Sequence, residues 1–152
     1  MPKLALPETT DDARRKRIED VLYFWIERLG LETEWSISYS LTSRFPKVRT
    51  KGVFARVTTN SPYRRAVIEY VRKSLDSSTD DELADSTVHE LAHLLLDPVT
   101  QAIKVYIGDS YVATEILQTL ETVCDQVAFR FRLVHDGYHR PYYDPYIEGR
   151  VP

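Results

Sequence analysis

The stretch Thr87–Asp97, TVHELAHLLLD, sets two of the chain's four histidines four residues apart, with a glutamate directly after the first. Its other residues are mostly aliphatic, and the segment predicts a largely buried helix. A four-residue step turns a helix by ~400°, so His89 and His93 project from one face with Cβ atoms ~6 Å apart. Two imidazole nitrogens so placed can meet one Zn2+ at ~2.0–2.1 Å each. Glu90 lies ~100° further round the helix. From there it can reach a water on the ion without ligating it, which is the place of a general base. Asp80, Asp81 and Glu82 suit the N-terminus of this helix, and Pro98 disfavours its continuation past Asp97.

A catalytic zinc needs a third protein ligand. Working outward, YVATEILQTLETVCDQVAFRFRLV (residues 111–134) carries a helical apolar stripe of Ile116, Leu117, Leu120, Val123, Cys124, Val127, Phe131 and Val134. Glu121 and Asp125 stand four apart beside it. Carboxylates against a stripe that faces a core are expensive unless a cation waits there. Glu121 as ligand, with Asp125 orienting a ligating histidine, would satisfy both. Asp97, Asp109 and Glu115 are the alternatives for the third ligand. Residues 98–110 between the two helices read as a connection, with Gly108–Asp109–Ser110 as turn and cap.

Upstream, Thr10–Asp11–Asp12 offers a cap to a helix with apolar Ile18, Val21, Leu22, Trp25, Ile26 and Leu29, stopped at Gly30. Its basic cluster Arg14, Arg15, Lys16 and Arg17, diluted by Glu19, Asp20 and Glu27, reads as a solvated first turn. The period then falls to two. Trp35, Ile37, Tyr39 and Leu41 alternate with polar residues; Val53, Ala55 and Val57 follow on a second strand. After a turn at Asn60–Ser61–Pro62, RRAVIEYVRKSL reads as a third strand, with a helix not excluded. The expected fold is α+β: an N-terminal helix, a small three- to four-stranded antiparallel or mixed sheet, the histidine helix and a long second ligand helix. Residues 1–152 form one domain, with 1–10 as an extension and the Tyr- and Pro-rich 136–152 as a tail.

Composition bounds the rest. The 152 residues suffice for one core, and 43% hydrophobic with 28% charged is a globular balance. A net charge of −3 and the absence of a basic stripe argue against nucleic acid as a partner. The single cysteine cannot form an internal disulfide, and no apolar run approaches the ~18 residues of a membrane span. No signal-peptide core stands at the N-terminus. These features predict a soluble protein of the reducing cytoplasm, with no membrane partner.

HELAHLLLD followed by ETVCDQVAFRF resembles the gluzincin metallopeptidases, in which HExxH precedes ExxxD on a second helix. The minigluzincins and the small phage-repressor-cleaving peptidase domains (the ImmA/IrrE type) are most similar. The metzincin continuation is ruled out, because Leu96 and Val99 stand where its glycine and third histidine belong. The resemblance covers residues 33–134 in layout and about 20 residues in motif. It implies one Zn2+ held by His89, His93 and Glu121, Glu90 as catalytic base, and Asp125 behind a ligand. It further implies a protein or peptide substrate laid on a sheet edge, with Arg65–Val71 as that edge. Donors for the tetrahedral oxyanion are open; Tyr106, Tyr111, His135, Tyr138 and His139 are the candidates. By the same resemblance Glu148 or Tyr146 of the tail could cover the metal, although a tail placed elsewhere is the simpler reading. A second class of function stays open: a zinc-containing, peptidase-like regulatory or interaction module with little turnover.

Overall fold

The computed structural model describes residues 9–45 and 54–136, the side chains of His135 and Asp136 excepted. Helix α1 spans Asp11–Arg28, capped by the Thr10 hydroxyl, which accepts from the Ala13 N–H at 3.2 Å. It buries Ile18, Leu22, Trp25 and Ile26, the face expected from their spacing. Gly30 follows in the left-handed region (φ 65), a conformation glycine adopts at no steric cost, and turns the chain into the sheet.

The sheet has three described strands: β1 (Ser36–Thr42), β2 (Ala55–Asn60) and β3 (Arg65–Val71), in the order β1-β3-β2. The β1–β3 pair is parallel and the β2–β3 pair antiparallel, so the sheet is mixed. β3 is therefore the central strand, not the edge that the family resemblance implied. A tight turn through Ser61–Tyr63 closes the β2–β3 hairpin, and the chain leaving β1 must then cross over to reach it. β3 is also the most apolar of the three: Ala66, Ile68 and Tyr70 are buried on the face turned to the helices. Its other face pairs Arg56 with Glu69 across the strands at 2.8 Å.

A short helix α2 (Arg72–Ser77) leads to α3 (Asp80–Leu95), which carries the histidine pair. Thr79 and Glu82 close the N-terminus of α3 with a reciprocal capping box, whose sequence signature is TDDE. The expected connection over 98–110 is largely a helix, α4 (Asp97–Tyr106). Pro98 ends one helix and starts the next, because the first turn requires no N–H donor from it. Gly108 (φ 68) and Ser110, whose hydroxyl accepts from the Ala113 N–H, then form the turn and cap as read. The last helix, α5 (Tyr111–Asp136), keeps Cys124 buried and Phe131 half-buried, but Val134 is 78% exposed and lies off the stripe. The chain is thus α+β, with the core between the inner face of the sheet and helices α1, α3 and α5.

The basic cluster of α1 departs from the solvated reading at two positions. Arg14 makes a two-pronged contact with Asp76 at 2.7 and 2.6 Å and also donates to Asp11. Arg17 donates to the carbonyls of Leu75 and Ser78 and to Asp80. Arg72 closes the network on Asp11. These cations tie α1 to the α2–α3 junction, which orphan helix-end carbonyls make a natural docking point for guanidinium. Arg72 and Arg14 hold the Asp11 carboxyl far below the usual carboxylate range, and Arg14 lowers that of Asp76. A depressed folded-state pKa adds stability above the unfolded value of ~3.9 and loses it as pH falls further. Thermal denaturation between pH 5 and pH 2.5 is expected to show a steeper loss of stability for the wild type than for D11N/D76N. Equal slopes would remove this network from the acid response.

Candidate metal centre

Helices α3 and α5 run antiparallel, and their side chains meet in a fixed register. As α5 advances from Glu121 through Asp125 to Arg132, its partners on α3 step back from His93 through His89 to Asp85 and Asp81. Small residues at the seam, the buried Cys124 and Ala128, let the backbones approach. The sheet fixes α3 from its other side: the buried Tyr70 and Thr87 hydroxyls share a hydrogen bond at 3.0 Å, two residues before His89.

Three ligand atoms converge. The Nε2 atoms of His89 and His93 lie 3.2 Å apart, and Glu121 Oε2 is 3.4 Å from the first and 3.5 Å from the second. An ideal tetrahedron with ~2.05 Å bonds has edges of about 3.3 Å. His89, His93 and Glu121 therefore lie close enough together to bind a metal ion. The other expected alternatives, Asp97, Asp109 and Glu115, do not enter this cluster.

The donor set fits a divalent cation on chemical grounds as well. His89 Nδ1 faces Asp125 Oδ1 at 3.2 Å, which places the proton on Nδ1 and leaves Nε2 as a lone pair. His93 Nδ1 faces Cys124 Sγ at 3.4 Å. Burial pushes the Cys124 thiol up to about 12, so it stays protonated, and its sulfur is a weak acceptor for Nδ1–H. With both rings so oriented, two nitrogen lone pairs and a carboxylate oxygen point at one spot. A proton can relieve that repulsion only in part, and a divalent cation relieves it fully. The basicities diverge accordingly. Burial opposes charge on both rings, but Asp125 and the neighbouring carboxylates leave His89 raised, whereas His93 is lowered by burial.

Glu90 is 8% exposed and points the other way, to the sheet. Its Oε2 accepts the Val57 N–H of β2 at 2.8 Å. Burial pushes its carboxyl up to about 7, against the opposing pull of His89 and of the Val57 N–H. A cation held at the triad would pull it down again, toward the ionised form. That Val57 donates to Glu90 shows which way it faces. This amide lies on the edge of β2 that pairs with no strand among the described residues, and alternation gives Ala55 and Thr59 the same outward direction.

These groups line a cleft of about 450 Å3. Its lining comes from β2 (Ala55, Arg56, Val57, Thr59), from α4 (Asp97, Thr100, Gln101, Lys104), and from His89, Glu90, His93 and Glu121. Tyr106 and Tyr111, two of the oxyanion candidates, are 85% and 78% exposed and do not line it. The side chain of His135 and residues Tyr138, His139, Tyr146 and Glu148 lie outside the described residues, as do the N-terminal extension through residue 8, Val53 and the tail from residue 137.

The sequence reading missed two contributors. Cys124 was counted only as apolar, yet it supports His93. Arg132 sits in a buried position of α5, 1% exposed, and reaches Asp81 at 2.8 Å. Its one signal was a cation spaced at a helical interval within the stripe. Comparison with protein-family models, with curated proteins and with solved structures returned no match to this chain.

Removing Arg132 strips a buried cation from beside Asp81 and Asp85. R132A is expected to lose about 3 kcal/mol in urea denaturation. D125A, by contrast, is expected to keep its denaturation midpoint while weakening metal affinity about 10–100-fold in competition titrations. Unchanged metal affinity in D125A would detach that carboxylate from the site.

Proposed function

We propose that the chain is a zinc-dependent endopeptidase. One observation carries the reading: the three converging ligand atoms and a separately held buried glutamate share a cleft with the edge of β2, which pairs with no further strand among the described residues. Two imidazoles and one carboxylate suit zinc among the divalent metals. The resemblance of HELAH and ETVCD to the gluzincin motif supports the same reading, and no helix among the described residues is long and apolar enough to cross a membrane.

A bound zinc ion supplies a Lewis acid that activates water toward pKa ~7 and polarises the scissile carbonyl. The chain's own groups do the rest. His89, His93 and Glu121 would hold the ion, with Asp125 and Cys124 orienting the two rings for ligation. Glu90 keeps Oε2 on the Val57 N–H, which leaves Oε1 to take a proton from the attacking water and pass it to the leaving amine. The substrate lies as an extended strand on the outer edge of β2, where Ala55 and Thr59 offer outward-facing backbone groups. β2 replaces the Arg65–Val71 edge expected from the resemblance, because β3 is already paired on both sides.

E90Q is the decisive variant. The amide oxygen of glutamine can still accept from Val57, so fold and metal content are expected to persist while peptide cleavage falls at least ~100-fold. Metal analysis alongside a peptide-release assay reads both. Zinc near one per chain with no cleavage by the wild type would instead favour a metal-bearing interaction module. Zinc absent from the purified protein, and not taken up on titration, would sink the metal reading itself.

A further inference from the structure

The walls of the cleft differ in how their charges are occupied. On the β2 wall, the Arg56 guanidinium pairs with Glu69 at 2.8 Å and lies 4.7 Å over the ring of Phe45. On the α4 wall, Asp97 is 5% exposed, and its Oδ1 accepts from Ser61 Oγ at 2.9 Å and Gln101 Nε2 at 3.1 Å. Glu121 is turned to the histidine pair and Glu90 to Val57. Each of these charges already has a protein partner or a place at the metal. Lys104 does not. It lines the same cleft, yet it makes no ion pair or hydrogen bond with any described residue.

Its position on α4 gives that ammonium a direction. Asp97, Gln101 and Lys104 follow at helical intervals along the cleft side of α4, and the first two lock to each other. Lys104 stands seven residues, about two turns, beyond Asp97 and outside that lock. A strand laid on the edge of β2 alternates its side chains between the two faces of the sheet. Ala55, Val57 and Thr59 mark the face turned to the helices, so every second side chain of such a strand is directed to the helix side of the cleft, which α4 helps to line.

We infer that Lys104 makes the cleft selective for extended peptides that carry a carboxylate side chain on the face turned toward α4. This rests on the peptidase reading above and adds a substrate class to it, acidic peptides. Lys104 is a specificity-determining residue here and takes no part in proton transfer.

Binding can be measured apart from turnover. In the zinc-loaded full chain bearing E90Q, a labelled peptide is titrated by fluorescence anisotropy while one glutamate is moved through its sequence, each version against its glutamine counterpart. At one register or at alternating registers, glutamate is expected to bind about fivefold more tightly than glutamine, the upper range for a solvent-screened pair. High salt should erase the difference. K104M should abolish it, and K104E should reverse it in favour of lysine-bearing peptides. Equal binding at every register, a preference that survives K104M, or no peptide binding at all overturns the inference. Cleavage of the same peptides by the chain with Glu90 intact separates the two readings. Cleavage without charge preference removes only the selectivity, whereas acid-selective binding without cleavage removes only the peptidase.

Discussion

The centre depends on one constraint, the register of α5 against α3. Neither helix alone brings three ligands together: α3 supplies two imidazoles and α5 one carboxylate, and they meet because Asp125, Cys124 and Arg132 each find a partner on α3 at matching heights. A slip by one turn, ~5.4 Å, would separate every one of these pairs at once. Arg132 bears most on this, since a buried guanidinium deprived of its carboxylates is far costlier than a broken surface pair. The hold on α5 therefore lies three turns from Glu121, at the end of the seam where the helix can be anchored without crowding the ligands.

The sheet plays a different part. It contributes no ligand to the cluster, but it fixes α3 through Tyr70 and Thr87 and gives Glu90 a hydrogen bond that an apolar surround could not. A carboxylate at this depth pays for desolvation, and the Val57 N–H returns only part of that, as its pKa of about 7 reflects. The compromise keeps the group oriented by one oxygen and available by the other. Burial, which is costly for stability, is what gives such a group a proton affinity near neutrality.

Much of this was legible in the sequence, and the reasons for the rest are physical. Helical spacing is a local property, so the His89–His93 face, the Glu121–Asp125 pair and the buried face of α1 could be read directly. The order of strands is not local. Alternation marks Arg65–Val71 as a strand but says nothing of which neighbours it pairs with, and the crossover that puts β3 in the centre leaves no trace in the pattern. Pro98 was read only as a stop, although the same residue suits a first turn. Arg14 and Arg17 were assigned to solvent because their partners, Asp76, Asp80 and two carbonyls, are some sixty residues away in the chain. Cys124 and Arg132 were hidden for a related reason: within one helix, a residue that supports a neighbouring helix looks like any other core position.

The contact between Glu90 and Val57 bears on how copies of this chain behave toward one another. An uncovered strand edge is a template on which identical molecules can stack into ribbons. Here the central outward amide of that edge is already taken by a carboxylate of the same molecule. A second copy arriving there would have to strip off that acceptor, and would place its own backbone beside a group that carries negative charge whenever the site is loaded. The grip on one oxygen of Glu90 thus takes from such a stack the one edge amide it would have used at Val57.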